Sequence, residues 1–448
     1  MNIDNNKNFI LDPDNQEFND AVDYVKKTDN IIFLTGKAGT GKTTFLKNIN
    51  NLIDKKSVIL APTGVAAINA GGQTIHSFFQ IKPSLYIPDD QRLSEYSVDG
   101  KKGNIFSYFK YKKRKISILQ NLELLIIDEI SMVRCDLLDV IDKILRVYRN
   151  TNEAFGGLQV LLIGDTFQLP PISNRNDWQI LSQHYATPFF FSSKVLEFNR
   201  PIYIELKKIY RQNDQEFIDL LNKIRVNQIE QNDMEYLNSR YNPYFTQNDN
   251  HNYILLATHN HTVDSVNMEK LENINEEEFI FNAKIEKTFP ANSYPTEEIL
   301  RLKVGAQVMM LKNDNMRRYY NGKIGKITKL SNETIQIQFE NNKIIELSKE
   351  KWDNVNYTFD ENEGNIKEEL IGSFTQYPVK LAWAISVHKS QGLTFEKVIA
   401  DLKDAFAPGQ VYVALSRCTN IEGLVLKTQI PRRAIKTSKE ALVFSSEQ

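Results

Sequence analysis

The sequence predicts an α/β protein: a doubly wound domain over a parallel sheet, then a second α/β region interrupted by a small antiparallel barrel. Three observations predict it. Short, unalternating runs of Ile, Leu and Val recur, each ending in small, polar or charged residues, as expected of strands buried on both faces. Amphipathic helical patterns lie between those runs, the alternation of a parallel sheet with crossover helices. One stretch of the second half changes to period-two alternation with Asn-rich turns.

In the first region the strand-like runs are Ile31–Thr35 before GKAGTGKTT, Ser57–Ala61 before PTG, Leu124–Ile127 before DEISM, and Val160–Ile163 before GDTFQLPP. Helical patterns cover Thr43–Asp54 and Cys135–Tyr148, where Leu137, Leu138, Ile141, Ile144 and Leu145 fall on one face. A sheet wound this way carries its ligands at the carboxyl ends of the strands. From Gly64 to about Gly103 the rhythm is lost, which reads as an insertion. FSYFKYKKRK follows, interleaving Phe106, Tyr108, Phe109 and Tyr111 with Lys110, Lys112, Lys113, Arg114 and Lys115. Such a pattern suits stacked bases and phosphates, or else a solvated helix face whose aromatics pack inward.

The second set of α/β signals begins at Tyr253–Thr258 and resumes at Lys380–Val387, Lys397–Asp401 and Val411–Leu415. Between them, over Lys303–Val379, Ile335, Ile337 and Phe339 alternate with Gln336 and Gln338. Asn321-Gly322 and Asn341-Asn342 supply turns. That reads as an antiparallel barrel inserted into a second α/β domain.

At roughly 150 residues per domain, the 448 residues suggest three domains. Lys plus Arg number 55 against 56 Asp plus Glu. A uniformly basic nucleic-acid coat is therefore excluded, and any anion-binding surface is a local patch. MNIDNNKNFILDPDN has neither the basic start nor the apolar core of a signal peptide, and no apolar run approaches the ~20 residues of a membrane span. Cys135 and Cys418 are the only cysteines. A disulfide framework is excluded, and a reducing cytosolic compartment is expected.

Gly36–Thr43 reads GKAGTGKT and matches the phosphate-loop pattern after a strand and at the opening of a helix. Gly36, Gly39 and Gly41 let the backbone wrap closely, so that successive N–H groups, with those of Ala38, Thr40 and Thr44, point at phosphate. Lys42 is expected to bridge the β- and γ-phosphates of ATP, and the Thr43 hydroxyl to ligate Mg²⁺. LLIIDEISM supplies the partner: Asp128 presents a carboxylate to the metal and Glu129 orients the attacking water. Gln168, after the next strand, offers an amide to the γ-phosphate or its water. The second region has no phosphate loop but holds Arg211 in IYRQ and Arg417 in VALSR. Each is either a finger toward the γ-phosphate or an ordinary structural ion pair.

The ordered set GKAGTGKTT, APTGVAAINAGGQTIHSFF, LLIIDEISMV, FGGLQVLLIGDTFQLPPI, KKIYRQ, HKSQGLTF and VYVALSRCTN resembles the PIF-type DNA helicases of superfamily one, in the 5′-to-3′ group with RecD-like enzymes. The resemblance runs from about Leu11 to Leu426. It implies two RecA-like P-loop NTPase domains, a wedge insertion in the first and an SH3-like β-barrel in the second. The boundaries expected are 1–192 for the first domain, with the wedge at about 64–105. The second domain is expected at 193–302 and 372–448, with the barrel at 303–371. It implies further roles by position: Gln16 reading adenine; Pro62, Thr63, Gly64, His76, Ser77 and Phe78 along a single-strand track; His388, Lys389 and Ser390 continuing that track, with Gln391 near the nucleotide. Over Ile81–Ile116 the chain departs from the family pattern.

The function expected is an ATP-dependent, 5′-to-3′ DNA helicase acting as a monomer on single-stranded and duplex or forked DNA. The alternatives are a translocating ATPase that separates no strands, and a non-motor single-strand binder that uses nucleotide only as a switch. Relatives also handle G-quadruplexes and RNA–DNA hybrids. A cytoplasmic, nucleoid-associated bacterial protein is expected.

Overall fold

A computed structural model describes residues 12, 14–95, 103–212, 214–246, 252–314, 316, 318–339, 342–360 and 365–448, without the side chains of 292 and 356–368. Asn341, in one of the expected turns, lies outside the described residues. Two compact units emerge. One comprises Met1–Asp165, Pro171–Ile209 and Tyr357–Glu368; the other comprises Thr166–Pro170, Tyr210–Asn356 and Glu369–Gln448.

The first unit is built on six parallel strands: β1 (Ile32–Gly36), β2 (Ser57–Ala61), β3 (Gln73–Thr74), β4 (Leu124–Ile127), β5 (Gln159–Ile163) and β6 (Ile202–Leu206), in the order β3-β2-β4-β5-β1-β6. Every residue of β1, β4 and β5 is buried, which is why these runs do not alternate. On one face, Ile32 and Leu34 pack with Phe18, Val22 and Val25 of helix α1 (Gln16–Lys27). Phe45 and Ile49 of helix α2 (Lys42–Leu52) join the same cluster. On the other face Phe33 meets Phe190 edge to face at 5.1 Å.

The expected boundary at 192 shifts. β6 pairs in parallel with β1 over Ile32–Gly36, so the first unit continues to Ile209. Gly64–Phe79, expected in the insertion, folds as helix α3 (Gly64–Ala70), strand β3 and helix α4 (Ile75–Phe79), and β3 extends the main sheet beside β2. The aromatics of FSYFKYKKRK turn inward. They lie on helix α5 (Asn104–Phe109), the link after it and helix α6 (Lys113–Asn121). Phe109 and Tyr111 are buried, and Tyr111 stands 4.8 Å from Tyr148 of helix α7 (Cys135–Arg149). Its hydroxyl donates to the Phe79 carbonyl. Lys112, Lys113 and Arg114 stay exposed.

In the second unit, strand β7 (Ile254–Ala257) is followed by β8 (Glu278–Asn282), β9 (Lys284–Lys287), β10 (Ile299–Lys303), β11 (Gln307–Met310), β12 (Ile324–Leu330), β13 (Ile335–Gln338) and β14 (Ile344–Leu347). Then come β15 (Glu350–Asp360) and β16 (Asn365–Gln376), whose residues from Tyr357 to Glu368 belong to the first unit, and β17 (Val379–Leu381), β18 (Ala384–Ser386), β19 (Val398–Asp401) and β20 (Leu424–Leu426). Four of them form a parallel sheet, β18-β7-β19-β20. Five form the antiparallel sheet β14-β13-β12-β11-β17, which buries Ile335, Ile337 and Phe339 as their alternation predicts.

Two sequence readings are corrected. Lys380–Val387 is not one strand: β17 belongs to the antiparallel sheet and β18 to the parallel one, so the insertion closes at Leu381. Val411–Leu415 is not a strand but part of the helix Gln410–Leu415, every residue of which is buried. A short run that is apolar on all sides carries no period to separate helix from strand.

Candidate nucleotide and nucleic-acid site

The phosphate loop leaves β1 at Gly36 and enters α2 at Lys42. Gly36, Gly39 and Gly41 all have positive φ, at 152°, 84° and 96°. A Cβ on Gly36 would lie 2.6 Å from the Thr40 hydroxyl and 2.7 Å from the Leu206 carbonyl oxygen, so only glycine fits. Ala38 and Thr40 are buried, and the Thr40 hydroxyl donates to the Lys37 carbonyl at 2.9 Å. The loop is thereby held from within. Lys42 arches back over it, its ammonium donating to the carbonyls of Gly36 (2.6 Å) and Lys37 (3.0 Å). Thr43 and Thr44 are exposed at the helix start.

Asp128 and Glu129 follow β4. The Asp128 N–H donates to the Leu60 carbonyl at 2.8 Å, which fixes the strand end. Burial, with the Glu129 charge second, pushes the Asp128 carboxyl up to about 7, and Lys42 acts in the opposite sense. The lysine and the acid therefore share one electrostatic environment. Glu129 adopts φ 51°, ψ 43°, a left-handed conformation rare for a residue with a long side chain and concentrated at functional sites. The Thr43 hydroxyl and Asp128 carboxylate are hard oxygen donors of the kind that would hold Mg²⁺. No cluster of three or more His, Cys, Asp or Glu suited to a metal occurs among the described residues. Gln16, at the start of α1, donates from its amide to Asp20 at 2.6 Å.

Along the expected track of this unit, Thr63 caps α3 by accepting from the Ala66 N–H at 3.2 Å. Pro62 and Gly64 flank it, half-buried. Ser77 is exposed and His76 half-buried. Burial, then the Arg134 charge, holds the imidazole below its ordinary pKa. Phe78 is a correction. It is 1% exposed, packed edge to face on Phe79 at 4.9 Å and covered by the Lys115 ammonium 3.2 Å from its ring centre. Its ring offers no stacking surface.

The second unit gathers the other candidates. Thr166–Pro170 packs with it, and there Gln168 accepts from the Gln391 amide at 3.2 Å. His388 and Lys389 are exposed beside it. Ser390 is a second correction: it is fully buried and its hydroxyl donates to the Val387 carbonyl at 2.8 Å.

Arg211 donates to the Ser416 carbonyl at 3.1 Å. Burial, then the charge of Arg417, pushes its guanidinium down to about 9. Arg417 is 2% exposed and donates to the Val413 carbonyl (2.9 Å), the Leu393 carbonyl (3.4 Å) and the Ser416 hydroxyl (2.8 Å). Two guanidinium groups are thus held together at the end of one helix. Sequence reasoning missed Arg225 and Gly409, which border Gln168 in this unit. The glycine before the apolar VYVAL helix was the available signal.

A family model described as PIF1-like helicase matches residues 11–235, and one described as DNA helicase Pif1, 2B domain, matches residues 287–330. The chain is 30% identical over 429 residues to the ATP-dependent DNA helicase Pif1 of Bdellovibrio bacteriovorus, covering 94% of this chain and 89% of that protein. With the human ATP-dependent DNA helicase PIF1 it shares 33% identity over 403 residues, 88% of this chain but 57% of that longer protein. Among solved structures, Bacteroides sp Pif1 in complex with ADP-AlF4 superposes with a TM-score of 0.89 at 39% identity, covering 98% of this chain and 97% of that one. Bacteroides Pif1 bound to ssDNA superposes at 0.67 over the same shares.

Proposed function

The chain belongs to the PIF1-like helicase family, and on that premise we propose that it is an ATP-driven DNA helicase moving 5′ to 3′ along single-stranded DNA. The observation that carries the reading is the placement of the positive-φ glycine loop with Lys42 at the end of β1 and of Asp128 and Glu129 at the end of β4 in the same parallel sheet. The Bacteroides relative has been solved with ADP-AlF4 and with ssDNA, which supports the same two ligands here.

Backbone N–H groups of Gly36–Thr44 cradle the phosphates, and Lys42 exchanges its two carbonyl partners for phosphate oxygens. Thr43 and Asp128 would hold Mg²⁺, whose charge would offset that of the phosphates. Glu129 accepts a proton from water and orients it in line with the γ-phosphorus. The charge that develops on the transferred phosphoryl oxygens is met by Arg417, with Arg211 beside it. Thr63, His76 and Ser77 in one unit, and His388 and Lys389 in the other, contact the strand; forked and duplex DNA are opened as that strand is drawn through. Turnover of ATP with and without single-stranded DNA tests the reading. DNA-stimulated turnover is expected, and turnover indifferent to DNA contradicts it.

A further inference from the structure

The second unit contains a clamp around Gln168 that no motif announces. Phe167 and Gln168 are 3% and 7% exposed, although they lie in a loop. The Arg225 guanidinium stacks on the Phe167 ring, 4.1 Å from its centre, and is itself 7% exposed. The Arg225 carbonyl is in turn fixed by the Thr437 hydroxyl at 2.9 Å.

On the carbonyl side of the loop stands Gly409. Its φ is 74°, and a Cβ there would come within 2.4 Å of the Gln168 carbonyl oxygen and 2.5 Å of that of Phe167. No side chain fits between the two backbones. Gly409 is also the N-cap of the helix Gln410–Leu415, accepting from the Val413 N–H at 2.8 Å. Val413 at the far end accepts from Arg417. One six-residue helix thus sets its first turn against the Gln168 backbone and its last turn under Arg417.

We propose that Arg225 and Gly409 are positioning residues for Gln168, fixing its backbone relative to the helix that carries Arg417 so that both meet the γ-phosphate in one register. The proposal rests on the reading of Gln168 as the γ-phosphate-sensing amide. An aromatic ring held by a planar guanidinium and a backbone seated on a bare glycine resist displacement better than a solvated loop. A misplacement of about 1 Å at a catalytic group costs on the order of 10²-fold in rate.

The test is steady-state ATP turnover with saturating single-stranded DNA for Arg225→Ala, Arg225→Lys and Gly409→Ala, each alone and combined with Gln168→Ala. ADP affinity and thermal melting are measured alongside. Arg225→Ala is expected to lower DNA-stimulated kcat on the order of 10²-fold, with ADP affinity, KM for ATP and melting near wild-type values. Gly409→Ala is expected to lower kcat as much with ADP affinity and KM for ATP unchanged, and to melt lower because its Cβ has no room. Arg225→Lys should not restore the rate, because an ammonium lacks the stacking plane. In the Gln168→Ala background the same changes should cost little more, since residues acting through one group are not additive. Additive losses, losses that track ADP affinity, or an Arg225→Ala loss that tracks melting overturn the proposal. If Gly409→Ala does not fold, the Arg225 pair decides. A wild type whose turnover ignores DNA overturns the motor reading itself, and this proposal with it.

Discussion

On the proposed function, hydrolysis depends most narrowly on Lys42. Its ammonium spans the Gly36 and Lys37 carbonyls, at 2.6 and 3.0 Å, at the mouth of the loop. Lys42→Ala is expected to abolish ATP turnover while single-stranded DNA binding survives, because the strand contacts come from other segments; turnover near the wild-type rate would contradict the assignment. Arg417→Ala is expected to cost about 10³–10⁵-fold in DNA-stimulated turnover, the range of finger arginines, and to leave ADP affinity unchanged because ADP has no γ-phosphate. Arg417→Lys should fail to rescue. Near-normal turnover in Arg417→Ala would assign the finger to Arg211. A third residue titrates. Burial pushes the Lys115 ammonium down to about 7, so the folded protein carries the cost of that charge in full below pH 7. The cost is relieved as pH rises from there toward the ordinary lysine value. Lys115→Met should therefore melt higher than wild type at pH 6 by a margin that shrinks at pH 9. A margin that grew with pH would contradict the sign.

Among the elements, α5 and α6 decide between two readings that the sequence alone left open. Tyr111 is committed to Phe79 and Tyr148, and Phe109 is buried, so this patch does not stack bases. Its exposed Lys112, Lys113 and Arg114 still present positive charge. Alanine at all three is expected to leave the salt dependence of single-strand binding unchanged. Were these cations seated on phosphates, the slope would flatten by about 0.7 for each one removed. The same element shows what is legible in a sequence. Phe106, Tyr108, Phe109 and Tyr111 are visible as aromatics, but which way they face is set by α7, distant in the chain. The phosphate loop is legible because its glycines and lysine act through local backbone geometry. The strands β1, β4 and β5 are legible because burial on both faces leaves an unbroken apolar run. The helix Gln410–Leu415 is buried all round and so has no period, and Gly409 looks like any loop glycine until the carbonyls of Phe167 and Gln168 are brought against it. Phe78 and Ser390 carry family motifs in sequence, yet their side chains serve packing.

For the whole molecule, a net charge of −1 means that DNA affinity comes from a local track and not from the overall field, so binding should weaken steeply with salt. The phosphate loop and acids lie in the first unit, and the arginine pair and Gln168 in the second. A motor needs both, and a nucleotide switch needs only the first. The central claim is directional strand separation powered by ATP. The most direct measurement is unwinding of a partial duplex carrying either a 5′ or a 3′ single-stranded tail, with ATP and Mg²⁺ present. Unwinding of the 5′-tailed duplex is expected, with none of the 3′-tailed one and none of either with Lys42→Ala. Efficient unwinding from the 3′ tail, or DNA-stimulated ATP turnover with no strand separation on either substrate, would contradict that claim.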